Sequence, residues 1–183
     1  MPDQRRFVLI DRDGTLNVER HYLSDPDQLQ LIPGAGAAVA ALNRAGFGVA
    51  VITNQSGVAR GYFDLARLDA IHARLRALLA AEGAKIDGLY VCPHGPDDDC
   101  DCRKPLPGMV RQAVAEHGFD PARAVVIGDK EVDVELGRAV GATTILVRTG
   151  HGGEYAATTT ADRVADDLAQ AVSLVLSGGL PAP

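Results

Sequence analysis

The sequence predicts an α/β fold, a parallel sheet with helices on both faces. Short apolar runs of strand length alternate with amphipathic stretches of helix length along most of the chain. Composition agrees. Of the 183 residues 46% are apolar but only 4% aromatic, Trp is absent, and Ala and Gly are plentiful, which suits tightly packed aliphatic layers. That length and apolar content are enough for one domain over residues 1–183 with an ample core. No stretch calls for a second domain, so no large cap domain is expected.

Phe7–Ile10 is a continuous apolar run and reads as a buried strand. Residues Asn17–Pro33 form a longer loop of polar and aromatic side chains, of the kind often functional at an active end. Ala35–Ala45 is helical and ends at Gly46, a C-terminal cap. Val49–Thr53 is the second strand. Asp64–Glu82 carries Leu65, Leu68, Ile71, Leu75 and Leu78 at helical spacing, with Asp64 as N-cap and Gly83 after it. Leu89–Val91 is the third strand. Pro107–His117 is helical, with proline in the first turn and Gly118 as its stop. Ala124–Ile127 is the fourth strand, Glu131–Val140 a helix stopped by Gly141, and Thr144–Val147 the fifth strand. Asp166–Leu176 closes the fold as a helix, and the tail Ser177–Pro183 is expected to fray. Neither repeats nor low-complexity tracts occur.

Eighteen Lys and Arg stand against 24 Asp and Glu, a net charge of -6, and no basic run stands out. A nucleic-acid surface is therefore not expected. The N-terminus shows no apolar region of a signal peptide, and no apolar run is long enough to span a membrane. The expectation is a cytoplasmic monomer that engages neither nucleic acid nor membrane.

Ligands of parallel sheets bind at the carboxyl ends of the strands, and the chemistry-bearing residues cluster there. Asp11-Arg12-Asp13-Gly14-Thr15 follows the first strand. Two carboxylates two residues apart, where a strand gives way to a loop, can point into one space, and Gly14 permits a sharp turn. A carboxylate can attack phosphorus and become an acyl phosphate, while a second can carry a proton or help hold a cation. Asp-Gly is also ordinary turn chemistry. Thr53 ends the second strand before Asn54-Gln55-Ser56-Gly57, where a hydroxyl and successive backbone N–H groups can cradle phosphate oxygens. Arg103 and Lys104 offer a fork and a point charge for phosphate, or a solvated surface pair. Gly128-Asp129-Lys130-Glu131-Val132-Asp133 follows the fourth strand, so Asp129 mirrors Asp11, and two strand-end carboxylates suit Mg²⁺. Asp133 is placed to cap the next helix and hold the loop.

Cys92, His94, Cys100 and Cys102 include every cysteine, within eleven residues. Cys₃His is a closed tetrahedral zinc set, and such an ion would be structural. Disulfide or free buried thiols are the alternatives; an odd count in a cytosolic protein argues against a disulfide framework. His72, on an amphipathic helix, and His117, near a helix end, read as structural; His21, in the first loop, is placed to touch substrate.

Taken jointly, Asp11-x-Asp13-Gly14-Thr15, Thr53-Asn54, Lys104 and Gly128-Asp129-x-x-x-Asp133 resemble the four motifs of the haloacid dehalogenase superfamily, in order and behind the right strands. The resemblance implies a Rossmann-like three-layer sandwich with a five-stranded sheet of order 5-4-1-2-3 and a magnesium-dependent aspartyl-phosphate mechanism. From Phe7 to about Gly150 the chain is more closely similar to the D-glycero-D-manno-heptose-1,7-bisphosphate 7-phosphatases. Leu9 to Asn17, Thr53 to Gly61, Cys102-Arg103-Lys104-Pro105, Gly128-Asp129-Lys130 and the Cys-Pro-His…Cys-x-Cys loop carry that similarity. His21 departs from it, standing where such enzymes often have Gly. The short metal loop is shared with the related histidinol-phosphate phosphatases, the alternative activity; Asn54 to Gly61 favours the heptose enzymes.

The resemblance implies a small-molecule sugar bisphosphate as substrate. It makes Asp11 the nucleophile and Asp13 the acid–base, with Thr53 and Lys104 on the phosphoryl oxygens. Asp11, the Asp13 carbonyl and Asp129 would hold Mg²⁺, and Cys92, His94, Cys100 and Cys102 would hold Zn²⁺. Arg12, Glu19, Arg20, His21, Tyr22, Asn54, Gln55, Ser56, Arg103 and Lys130 would contact substrate.

Overall fold

The computed structural model describes residues 5–178. Strands β1 (Phe7–Ile10), β2 (Gly48–Asn54), β3 (Gly88–Cys92), β4 (Val125–Gly128), β5 (Thr143–Val147) and β6 (Arg163–Ala165) alternate with helices α1 (Ala35–Arg44), α2 (Leu65–Ala81), α3 (Gly108–His117), α4 (Glu131–Ala139), α5 (Gly152–Tyr155) and α6 (Leu168–Leu176). All strand pairs are parallel, in the order β3-β2-β1-β4-β5-β6.

The sheet therefore has six strands, not the expected five. The five expected strands keep their implied order, and β6 extends the β5 edge. β6 carries no apolar run to announce it: it has three residues, and Arg163 is exposed. It is fixed from outside its own sequence, where Asp162 Oδ2 accepts from both the N–H and the hydroxyl of Thr144 at 2.8 Å. The four-residue α5 was likewise not expected.

Strand alternation sends successive side chains to opposite faces. Val8, Ile10, Val49, Val51, Val125, Ile127, Ile145 and Val147 face one layer, packed against α1, α2 and α6. Phe7, Leu9, Ala50, Ile52 and Val126 face the other, packed on Met109, Val110 and Ala113 of α3 and Leu136 of α4. Asp64 caps α2 as expected, accepting from Arg67 N at 2.8 Å. The buried stripe of that helix is Leu68, Ile71, His72, Leu75 and Leu79; Leu65 is exposed and Leu78 only partly buried, so Leu79 takes the place expected for Leu78. The last helix begins at Leu168, with Asp167 as cap. His117 stacks on Phe7 with ring centroids 5.2 Å apart, a structural role. The tail expected to fray lies largely outside the described residues. Among the described residues no helix is long and apolar enough to cross a membrane.

Candidate active site

The parallel strands deliver their carboxyl ends to one rim, and a cavity of about 400 Å³ opens there. Asp11 continues β1: its N–H donates to Ile127 O at 2.9 Å, which seats the carboxylate beside the end of β4. The chain then winds around the Arg12 carbonyl, which accepts from Leu16 N at 2.9 Å and Asn17 N at 3.1 Å. Gly14 sits at φ +81°, and a Cβ there would lie 2.3 Å from Asp129 Oδ2. Gly150, after β5, approaches the same oxygen, where a Cβ would come within 2.2 Å. Glycine at both positions lets Asp129 stand between the two loops.

Lys104 reaches into this rim from the loop before α3. Its Nζ donates to Asp11 Oδ1 at 2.8 Å, Asp133 Oδ1 at 2.6 Å and Ile52 O at 2.9 Å. Burial opposes its charge, but Asp11 and Asp133 outweigh that and hold it protonated, above the ordinary lysine range. Asp133 Oδ2 also accepts from Lys130 N at 3.1 Å, so this residue both caps α4 and holds the lysine. Asp11, Asp129 and Asp133 each offer a carboxylate oxygen within 4.8 Å of the others. Asp129 Oδ2 accepts from His151 N at 2.8 Å, whereas Oδ1 is buried without a partner among the described residues. Burial, then the charge of Asp11, pushes Asp129 up to about 8. Burial likewise pushes Asp133 up to about 6, against the pull of Lys104.

Asp13 accepts from three donors: Arg12 Nη2 at 2.7 Å and Gln55 Nε2 at 2.8 Å on Oδ2, and Asn17 Nδ2 at 2.9 Å on Oδ1. Burial works to raise its pKa. The charge of Arg12 and the hydrogen bonds from Asn17, Gln55 and Arg12 prevail and hold it below the ordinary carboxylate value. Gln55 Nε2 also reaches Thr53 Oγ1 at 2.8 Å, tying the end of β2 to the first loop. Asn54 holds the Lys104 backbone from both sides, donating to its carbonyl at 3.3 Å and accepting from its N–H at 2.9 Å.

Of the residues expected at the site, Asp11, Asp13, Glu19, His21, Tyr22, Thr53, Asn54, Gln55, Ser56, Arg103, Lys104 and Lys130 line the cavity. Asp129, wholly buried, stands behind the lining, and Arg12 and Arg20 do not line the cavity either. Arg12 is wholly buried, its guanidinium turned to Asp13 and His72 instead of the cavity. Arg20 is exposed and donates to Gln30 Oε1 at 2.8 Å. Arg12 is thereby corrected to a supporting position and Arg20 to a surface one. His151 and Val132 line the cavity unexpectedly. His151 Nε2 lies 3.7 Å from Glu19 Oε2, which also stands 3.5 Å from Lys130 Nζ. His151 stands four residues past the end of β5, too far for the strand-end rule that located Asp11 and Asp129 to point to it.

Beside the cavity, Cys92, His94, Cys100 and Cys102 converge. Cys92 Sγ lies 2.8 Å from Cys102 Sγ and 3.9 Å from Cys100 Sγ, and His94 Nδ1 lies 3.2 Å from Cys102 Sγ. All four donor atoms fall within 4.8 Å of one another, and the cysteines form no disulfide. Burial, then the hydrogen bond with Cys102, pushes the Cys92 thiol up to about 12. The loop is joined to the cavity wall: Arg103 Nη1 donates to His94 O at 3.2 Å, and Gln55 N donates to Cys92 O at 2.7 Å.

Comparison with known proteins agrees with this geometry. A family model described as HAD-hyrolase-like matches residues 101–171. The D-glycero-beta-D-manno-heptose-1,7-bisphosphate 7-phosphatase of Pseudomonas aeruginosa is 48% identical over 149 residues, covering 81% of this chain and 84% of that one. The D-glycero-D-manno-heptose-1,7-bisphosphate 7-phosphatase of Thermosynechococcus vestitus is 41% identical over 187 residues, covering 93% and 95%. The crystal structure of D,D-heptose 1,7-bisphosphate phosphatase from B. bronchiseptica, complexed with magnesium and phosphate, superposes with a TM-score of 0.89 at 38% identity, covering 94% of this chain and 99% of that one. The chain therefore belongs to the D-glycero-D-manno-heptose-1,7-bisphosphate 7-phosphatase family of haloacid dehalogenase-like hydrolases.

Proposed function

We propose that this single-domain protein removes the C7 phosphate of D-glycero-D-manno-heptose 1,7-bisphosphate through an aspartyl phosphate on Asp11. The observation that carries the reading is Asp11 itself, a strand-end carboxylate facing the cavity and fixed by Lys104 at 2.8 Å, with Arg103 and Lys130 lining the same cavity. The names of the relatives support the substrate, and the magnesium and phosphate of the B. bronchiseptica enzyme support the chemistry.

The residues fit a divalent cation. Asp129 Oδ1 is buried without a partner among the described residues, and the acidic cluster there holds fewer cations than carboxylates. Asp11, the Asp13 carbonyl and Asp129 would hold Mg²⁺, a hard oxygen set. When bound it neutralises the phosphoryl oxygens. In the first half-reaction an Asp11 oxygen attacks phosphorus, the bond from phosphorus to O7 breaks, and Asp13 gives its proton to O7. In the second, Asp13 takes a proton from the water that attacks phosphorus, which frees Asp11 and inorganic phosphate. Thr53 and Lys104 hold the other phosphoryl oxygens and stabilise charge that develops there. Asp13 rests as a carboxylate. The dianion of the entering phosphate supplies the like charge that lets it carry a proton.

Cys92, His94, Cys100 and Cys102 fit structural Zn²⁺, a closed N/S set. Thiols kept reduced for a metal agree with a cytoplasmic enzyme. Arg103 and Lys130 read the second phosphate. The histidinol-phosphate alternative calls for acidic groups facing an amine and an imidazole. Glu131 is not available, because its Oε1 accepts from Thr160 Oγ1 at 3.0 Å and it does not line the cavity. Glu19 is left as the acidic side chain in the cavity open to an amine, 3.5 Å from Lys130.

The test is a panel of heptose 1,7-bisphosphate, histidinol phosphate and an aryl phosphate, with phosphorus NMR of the sugar product. The bisphosphate should be preferred over histidinol phosphate by roughly tenfold or more in kcat/KM, about 1.4 kcal/mol of transition-state binding. The product should retain only its C1 phosphate. A preference for histidinol phosphate would transfer the chain to the alternative.

A further inference from the structure

The mechanism above gives no role to His72, a buried residue of α2. Its Nε2 lies 3.1 Å from Nη1 of Arg12. A guanidinium only donates hydrogen bonds, so this nitrogen accepts, and the ring is neutral with its proton on Nδ1. Burial, then the charge of Arg12, holds the ring's pKa down to about 3, in keeping with that state. From the same guanidinium Nη2 donates to Asp13 Oδ2 at 2.7 Å. Arg12 is 0% exposed, and its Nε has no partner among the described residues. A buried charge with an unmet donor is an expensive cross-link, and packed apolar side chains would usually join two elements as well. Two side chains, Asp13 and His72, fix the plane of this guanidinium.

We propose that His72 is a positioning residue for leaving-group protonation. Through Arg12 it sets the orientation of the Asp13 carboxyl toward the departing oxygen. The proposal rests on the reading of Asp13 as the acid. As the bond from phosphorus to that oxygen breaks, its electron pair takes the Asp13 proton. A sugar alkoxide needs that proton, whereas the phenolate of p-nitrophenyl phosphate is weakly basic and leaves without it. Asn17 and Gln55 also hold Asp13. Loss of His72 therefore misaligns the acid without removing it, and should forfeit only part of a general acid's usual ~10²–10⁴-fold.

The experiment compares kcat/KM on heptose 1,7-bisphosphate and on p-nitrophenyl phosphate, since this parameter reports the steps up to the aspartyl phosphate. His72→Leu should lose roughly tenfold on the bisphosphate and less than about threefold on the aryl phosphate, a fraction of general-acid catalysis. His72→Gln should restore the bisphosphate activity, because its Oε1 reaches where Nε2 lies. His72→Asn, whose acceptor reaches only the Nδ1 position, should behave like His72→Leu. Thermal melts report folding, and if His72→Leu does not fold the Gln and Asn pair decides. Equal losses on both substrates, or Asn serving as well as Gln, would overturn the proposal. Asp13→Asn, run alongside, separates the two readings. If it discriminates between the substrates and the His72 variants do not, only the role of His72 falls. If it loses both equally, the acid role of Asp13 falls as well.

Discussion

Removing Mg²⁺ should make this protein less stable as pH rises toward 8, and Asp129 is the reason. Its folded carboxyl is raised to about 8 by burial and by Asp11, against an ordinary 3.8. Between pH 5 and 8 the unfolded carboxyl is ionised while the folded one keeps a proton. The folded state then binds more protons, so stability rises as pH falls through this window. Three pH units at about 1.4 kcal/mol each give a ceiling of roughly 4 kcal/mol, or about 10 °C in Tm for a chain of this size. The assay is thermal unfolding against pH in Mg²⁺-free buffer without chelator, which leaves the cysteine loop alone, and again with Mg²⁺. Asp129→Asn isolates the residue from other titrations. Metal-free, it should exceed the wild type in Tm at pH 8, show a flatter pH profile and lose its response to Mg²⁺. A variant with the wild-type slope, or one that Mg²⁺ still stabilises fully, would refute the assignment of this charge deficit to Asp129.

Asp11→Asn should abolish turnover and leave the fold intact, since the amide is nearly isosteric but a poor nucleophile; retention of more than roughly a tenth of wild-type activity would rule out the covalent route. Elemental analysis of protein prepared without chelator should find one zinc per chain, retained in Mg²⁺-free buffer. Stripping it should raise hydrogen exchange over residues 95–105 and lower activity through Arg103, whose guanidinium is tied to His94 O. Arg103→Ala should harm kcat/KM for the bisphosphate far more than for a small monophosphate, and equal losses would deny it the second phosphate.

The sequence showed most of this site because a parallel sheet gathers its strand ends on one rim. A polar residue just after an apolar run is thus placed before its neighbours are known. That logic located Asp11, Thr53 and Asp129, and it failed where the local signal was mute. β6 is too short and polar to register as a run, and is anchored by Asp162. Arg12 was expected at the substrate only through the resemblance. Its direction is set by Asp13 beside it and by His72, sixty residues away. Arg20 was grouped with its neighbours in the first loop, and nothing local distinguishes it from Glu19. The stripe of α2 moved from Leu78 to Leu79 because Leu68, Ile71 and Leu75 already fix a face that a further step of four continues.

Four carboxylates crowd this rim, and the hydrogen bonds argue for one of them as nucleophile. Asp133 has both oxygens engaged, one by Lys104 and one by Lys130 N, and it does not line the cavity. Asp129 is pinned by His151 N on one oxygen and enclosed by Gly14 and Gly150, so its remaining oxygen serves a cation better than an electrophile. Asp13 is held by three donors, and a carboxylate so stabilised is weakly nucleophilic but well placed to pass a proton. Asp11 lines the cavity with Oδ1 held by Lys104 and its own neighbour's N–H, while Oδ2 accepts no hydrogen bond among the described residues. One oxygen anchored to a buried ammonium and the other free and exposed to the cavity is the arrangement an attacking carboxylate requires. The same ammonium that orients it also reduces the repulsion between an anionic nucleophile and an anionic phosphate.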